Sequence, residues 1–142
     1  MRALGLISCT KSKREYSCTA SEMYQSSDLF RKAYSYATKK YDFVAILSAK
    51  YGLLFPDDTI EPYDLTLNDM SCQQREEWAE KVFNQMKSRL RLRDYDKILF
   101  HAGKKYREHI IQKLNRMGIK CGIPLEHLGI GKQLAWYNEH DC

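Results

Sequence analysis

Three apolar runs, each closing on a polar turn, frame the chain: "MRALGLIS" (Met1 to Ser8), "DFVAILS" (Asp42 to Ser48) and "DKILFHAG" (Asp96 to Gly103). They are continuous rather than alternating and short, which predicts strands covered on both faces. Between them the period changes. Leu29, Phe30, Ala33, Tyr34 and Ala37 share one face of a helix expected from Ser27 or Asp28, either a good N-cap, to about Lys40. A second helix is expected from Ser71, with Glu76, Glu77, Trp78, Val82, Phe83 and Met86 before the basic run Lys87 to Arg93. Acid early and base late suit the helix dipole. "KKYREHIIQKLNRMG" predicts a third helix closed by Gly118, "IKCGIPL" a fourth strand, and "GIGKQLAWYNEH" a last helix entered through glycine. Strands and helices thus alternate four times, which predicts a single three-layer α/β domain over residues 1–142 with a mostly parallel sheet flanked by helices.

In such sheets ligands bind beyond the carboxyl ends of the strands. That rule gathers three loops into one expected crevice: Ser8 to Lys13, Ser48 to Tyr63, and His101 to Tyr106. The first, "SCTKSK", offers a strand-end Ser, a Thr and two Lys at i and i+2 to a phosphate or a leaving base, and it lacks the glycines of a Walker loop. The second lies in "LSAKYGLLFPDDTIEPYDLTL". It holds Ser48, Lys50, Tyr51, Gly52 and Tyr63, two prolines that cannot join a ladder, and the acids Asp57, Asp58, Glu61 and Asp64. A connection alone needs neither two prolines nor four acids. A carboxylate near a lysine and several tyrosines suits a general base or a cation stabiliser. The third, "HAGKKYREH", places basic residues at a helix start, an anion-site pattern equally compatible with an ordinary exposed helix. In "PLEHLGIGKQLAWY", Lys132 and Gln133 are placed to reach the crevice, while Leu134, Trp136 and Tyr137 read as core.

Composition narrows this picture. A net charge of +5 permits an anionic partner without requiring one, because the basic residues are spread along the chain. Ten tyrosines suit a wet cleft as well as a core. The five cysteines are odd in number, form no CxxC pair and follow no signal peptide, so a reducing, cytoplasmic setting is expected. The histidines do not fall at metal spacing with the cysteines, so no metal and no cofactor are expected. No apolar run is long enough to span a bilayer, so no membrane partner is expected. Cys9 follows a strand end, but the sequence supplies no certain His to activate it.

Taken together, "SCTKSK", "MYQSSDLFRKAYSYA", "LSAKYGLLFPDDTIEPYDL" and "ILFHAGKKYREHI" resemble the YaaA-like superfamily, in particular its small stand-alone DUF6884-type domains. The resemblance covers nearly the whole chain. It marks Ser8, Lys11, Ser48, Tyr51, Gly52, Pro56, Asp58, Pro62, Tyr63 and Tyr106. The chain is much shorter than YaaA itself, and no helix-hairpin-helix-like DNA-binding element is evident. The resemblance implies a site for DNA or a nucleobase, and kinship with enzymes acting on the N-glycosidic bond.

The resulting expectation is a DNA glycosylase-like enzyme releasing a modified base. Asp58 would stabilise the sugar cation or position water. Lys11, Lys50 or Ser8 would stabilise the departing base, and Tyr51 or Tyr63 would stack on an extruded base. Alternatively a lysine would attack the sugar and form an imine. Lys13, Ser48, Gly52, His101, Lys104, Tyr106 and Lys132 complete the expected binding surface. Two other readings remain open: a non-catalytic DNA- or nucleotide-binding module, and an enzyme acting on free nucleosides. The oligomeric state is not legible.

Overall fold

The computed structural model describes residues 2–140, so Met1 of the first expected strand and Cys142 lie outside the described residues. The three apolar runs form the centre of one sheet: β1 (Ala3–Ser8), β3 (Phe43–Ser48) and β6 (Lys97–His101). β1 lies between β3 and β6 and is parallel to both, with Ser8 opposite Leu47 and Ile7 opposite His101. Leu4, Leu6, Ala45, Ile46 and Ile98 have no exposed surface, as continuous apolar runs require when both faces are covered. The fourth expected strand is the short β7 (Cys121–Gly122), parallel to β6 at one edge.

The helices form where their caps and apolar faces lie. α2 (Asp28–Lys40) starts at Ser27, whose hydroxyl accepts from the Phe30 N–H at 3.2 Å, and it buries Phe30, Ala33 and Ala37. α3 (Cys72–Arg89) starts at a capping box. The Gln74 N–H donates to Ser71 Oγ, and the Ser71 N–H donates to Gln74 Oε1. α4 (Lys104–Arg116) buries Ile110 and Leu114, and α5 (Ile130–His140) buries Tyr137. α2 packs with α5 and α3 with α4, so a helix pair flanks the sheet on each side.

Four local features depart from the sequence reading. α3 stops at Arg89 rather than Arg93, because Leu90 turns extended and Leu92 enters the core in a 3-10 turn. In the second loop, where no strand is read from the sequence, Gly52–Leu54 forms an antiparallel edge strand, β4, on β3, which makes the sheet mixed with the order β4-β3-β1-β6-β7. β2 (Cys18–Thr19) pairs with β5 (Thr59–Ile60), tying the first loop to the second. A single helical turn, α1 (Ala20–Met23), follows β2 and buries Ala20 and Met23.

Candidate functional site

The strand order reverses at β1, since the chain builds β3 on one side of it and β6 on the other. Ser8, Ser48 and His101, the last residues of β1, β3 and β6, therefore share one end of the sheet, as expected from the sequence. The loop after β1 divides this end into two spaces. A polar crevice of about 470 Å3 is lined by Cys9, Lys11, Lys13, Asp64, Asp69 and Tyr106. A more apolar chamber of about 250 Å3 lies between α2 and α5. Thr10 lines both.

The crevice wall is held by a chain of hydroxyls. Ser48 Oγ accepts from the Tyr51 N–H at 3.0 Å and donates to Tyr63 Oη at 2.7 Å, and Tyr63 Oη bonds Tyr24 Oη at 2.7 Å. Burial raises the Tyr24, Tyr63 and Tyr106 phenols above their ordinary value, so these groups stay protonated and relay hydrogen bonds rather than act as bases. The Trp78 indole N–H donates to the Ser48 carbonyl at 3.0 Å, and its ring meets Tyr106 edge-on. The Cys9 N–H extends the β1–β3 ladder by bonding the Leu47 carbonyl at 2.8 Å, and its thiol donates to Tyr106 Oη at 3.6 Å. Lys13 Nζ sits 4.5 Å from the centre of the Tyr63 ring.

The structure brings together Lys11, Lys13 and Tyr106 as lining of the crevice, with Ser48 and Tyr63 in the hydrogen-bonded chain beside it, whereas Ser8 lines the neighbouring chamber. Other expected site residues lie elsewhere. Asp58 accepts from the Phe55 N–H at 2.8 Å and from Arg89 at 2.9 and 3.2 Å. Arg89 covers the Phe55 ring, which packs on Phe43 at the amino end of β3, opposite Ser48. The Arg89 hydrogen bonds hold the Asp58 carboxyl below the usual range, and Asp58 is not among the residues lining the crevice. Gly52 does not clear space for a ligand. Its φ is +79°, and a side chain there would run into Gln85. Gln85 in turn accepts from the Leu53 N–H and donates to the Tyr51 carbonyl. Tyr51 uses its hydroxyl on the Glu61 backbone and its ring against Tyr63 and Lys50. Lys50, Lys104 and Lys132 are exposed and line neither space.

His101 reaches the chamber rather than the crevice. Its Nε2 bonds Tyr41 Oη at 2.6 Å and its Nδ1 bonds Tyr137 Oη at 2.7 Å. Burial pushes the imidazole down to about 4, so it is neutral near pH 7.

Two carboxylates take the place of Asp58. Asp64, read in the sequence only as one of four acids in the second loop, is exposed and also lines the crevice. Asp69, which also lines the crevice, sits on the 3-10 turn Leu67–Asp69, where the Asn68 N–H donates to the capping Thr66 Oγ1. The motif Thr66 to Asp69, a hydroxyl cap before a short acidic turn, was the available signal. Away from the crevice, α3 and α4 bring Cys72, Glu76 and His109 close enough for their ligand atoms to lie within 4.8 Å of one another, with Cys72 and Glu76 exposed. Their sequence spacing did not reveal this group. Among the described residues no helix is long and apolar enough to cross a membrane.

Residues 4–139 match the family model DUF6884, described as a family of unknown function, and no curated protein matches the chain.

Proposed function

From a chain that belongs to the DUF6884 family, we propose an enzyme that binds a nucleotide unit of DNA in the crevice beyond β1 and hydrolyses its N-glycosidic bond, releasing a modified base. The reading rests on one observation: two lysines and two carboxylates, Lys11, Lys13, Asp64 and Asp69, line a single crevice at the point where the strand order reverses. Glycosidic cleavage builds positive charge on the sugar and negative charge on the base. The Asp64 and Asp69 carboxylates suit the sugar cation and can orient the attacking water. The water oxygen bonds to C1′, the C1′–N bond breaks, and its electron pair leaves with the base, which takes up a proton. Lys11 and Lys13 suit the flanking phosphates, and Ser8 and Thr10 offer hydroxyl donors where the base departs.

Asp58, the carboxylate favoured by the sequence pattern, has its hydrogen-bonding capacity engaged by Arg89 and Phe55, so the role passes to Asp64 and Asp69. The hydroxyl network of Tyr24, Tyr63 and Ser48 supports the wall rather than stacking on the base. Kinship with YaaA-like proteins, carried by "SCTKSK" and "LSAKYGLLFPDDTIEPYDL", is part of this proposal.

The test is a screen of duplexes and single strands carrying different modified bases, scored for abasic sites, with free nucleosides in parallel and borohydride added to trap any lysine imine. Abasic sites without a trapped adduct support hydrolysis. A trapped adduct moves the chemistry to Lys11 or Lys13. Tight binding of DNA with no base released across the screen removes the catalytic reading and leaves a binding module.

A further inference from the structure

The chamber beside the crevice has its own chemistry. Its floor is the end of β1 and β6, with Phe100 and His101, and its walls are Phe30 and Ala33 of α2 and Tyr137 of α5. At about 250 Å3 it falls just below the roughly 300–1,000 Å3 of sites for drug-sized molecules, which suits one ring system and not a whole nucleotide. The floor carries no charge, because both His101 nitrogens are bonded to tyrosine hydroxyls in a buried setting. A phosphate would be desolvated against that floor, and the two charged groups of the lining, the Arg107 guanidinium and the Glu126 carboxylate, are of opposite sign and leave the chamber without net charge. Polar groups are nonetheless available. Gln133 spends its Nε2 on the Leu128 carbonyl, and Arg107 spends Nη1 on the Ala102 carbonyl. The Gln133 amide oxygen and the Glu126 carboxylate are left as acceptors, the second Arg107 amino group as a donor, and the Ser8 hydroxyl as either. Ile130, 67% exposed, adds an apolar residue to the lining.

We propose that this chamber is a receptor for a single planar, uncharged heteroaromatic ring, and that in the reaction above it takes the base while the lysine-lined crevice takes the sugar-phosphate. Thr10, common to both linings, marks where the bond between the two parts would lie. The second half of the inference rests on the glycosidic reading, whereas the ring receptor itself does not. Apolar walls with a few converging donors and acceptors recognise a flat ring by desolvation and edge hydrogen bonds.

The experiment titrates adenine, cytosine, uracil and 5-methylcytosine singly into the protein, followed by amide shifts and saturation transfer. Ala33→Leu fills the chamber and Ile130→Asp replaces an apolar residue of its lining with a second carboxylate beside Glu126. Saturable binding of at least one base is expected, with shifts centred on Ala33, Ala102 and Gln133 and roughly tenfold weaker binding in both variants. Should Ala33→Leu fail to fold, the exposed Ile130→Asp and the shift map still decide. No binding of any base, or binding unchanged in both variants, overturns the receptor. Base release from DNA that is indifferent to both variants overturns the chamber's part in the reaction and leaves the glycosidic reading standing. Ring binding with no base release from any substrate does the reverse.

Discussion

Tyr63 is the middle of the hydroxyl chain that holds the crevice wall, and its loss should cost more than the loss of either end of its bond to Tyr24 suggests. Tyr63→Phe keeps the ring and removes one oxygen with two partners, Ser48 Oγ and Tyr24 Oη, each at 2.7 Å. Tyr24 and Ser48 are both fully buried. One hydroxyl then has no partner and the other keeps only the Tyr51 N–H. Leaving a buried polar group unsatisfied costs about 1–3 kcal/mol, so the variant should lose about 3 kcal/mol. Tyr24→Phe leaves Tyr63 still bonded to Ser48 and should lose only about 1 kcal/mol. The double variant removes the orphan that the first creates, so its loss should fall short of the sum by at least about 1 kcal/mol. Urea denaturation at unchanged m-value measures all three, and a domain of this size should drop about 3–4 °C in Tm per kcal/mol. Equal losses in the two single variants, or strict additivity in the double, would refute the chain of bonds as the support of the wall.

Four further outcomes follow from the same geometry. Burial holds His101 at about 4 against 6.5 when unfolded, so its contribution is complete above pH 6.5 and is lost as pH falls toward 4, on the order of 3 kcal/mol in all; His101→Gln should flatten that part of the stability-against-pH curve. Gly52→Ala should cost about 2–3 kcal/mol from left-handed backbone and the Gln85 clash, whereas Gly118→Ala, at the same φ of +79° but in open space, should cost about 1 kcal/mol in thermal or urea melts. Asp58→Asn should lose about 1–2 kcal/mol of stability at neutral pH. Its lowered pKa makes that contribution vanish as pH falls below the ordinary carboxylate range, so wild type and variant should converge in acid. The fall of log affinity for DNA with log salt should have a slope of roughly −2, and Lys11→Ala or Lys13→Ala should each reduce it by about 1.

The sheet and its helices were legible because their causes are local. β1, β3 and β6 are unbroken apolar runs, and Ser27 and Ser71 cap where a Ser before an amphipathic stretch should cap. β4 was not legible: three residues show no period, and its course depends on a reversal at Gly52 that Gln85 stabilises from α3. The site was legible in outline, since strand ends converge by topology, and obscure in its acids. Asp58 between two prolines has the look of a reacting group, but Arg89, thirty-one positions away, makes it a clamp. His101 at a strand end likewise reads as chemistry until Tyr41 and Tyr137 meet its two nitrogens. Such assignments depend on partners distant in sequence, and no spacing rule carries them.

The central claim is that the chemistry sits between the loop after β1 and the turn at Leu67–Asp69. It is tested most directly by measuring base release from a modified duplex by wild type, Asp64→Asn/Asp69→Asn and Asp58→Asn, each normalised to folded protein. The account expects release by wild type, a fall on the order of a hundredfold in the double variant at unchanged Tm, and near wild-type turnover by Asp58→Asn despite its lower Tm. Full activity in the double variant, with activity abolished in a folded Asp58→Asn protein, would contradict it.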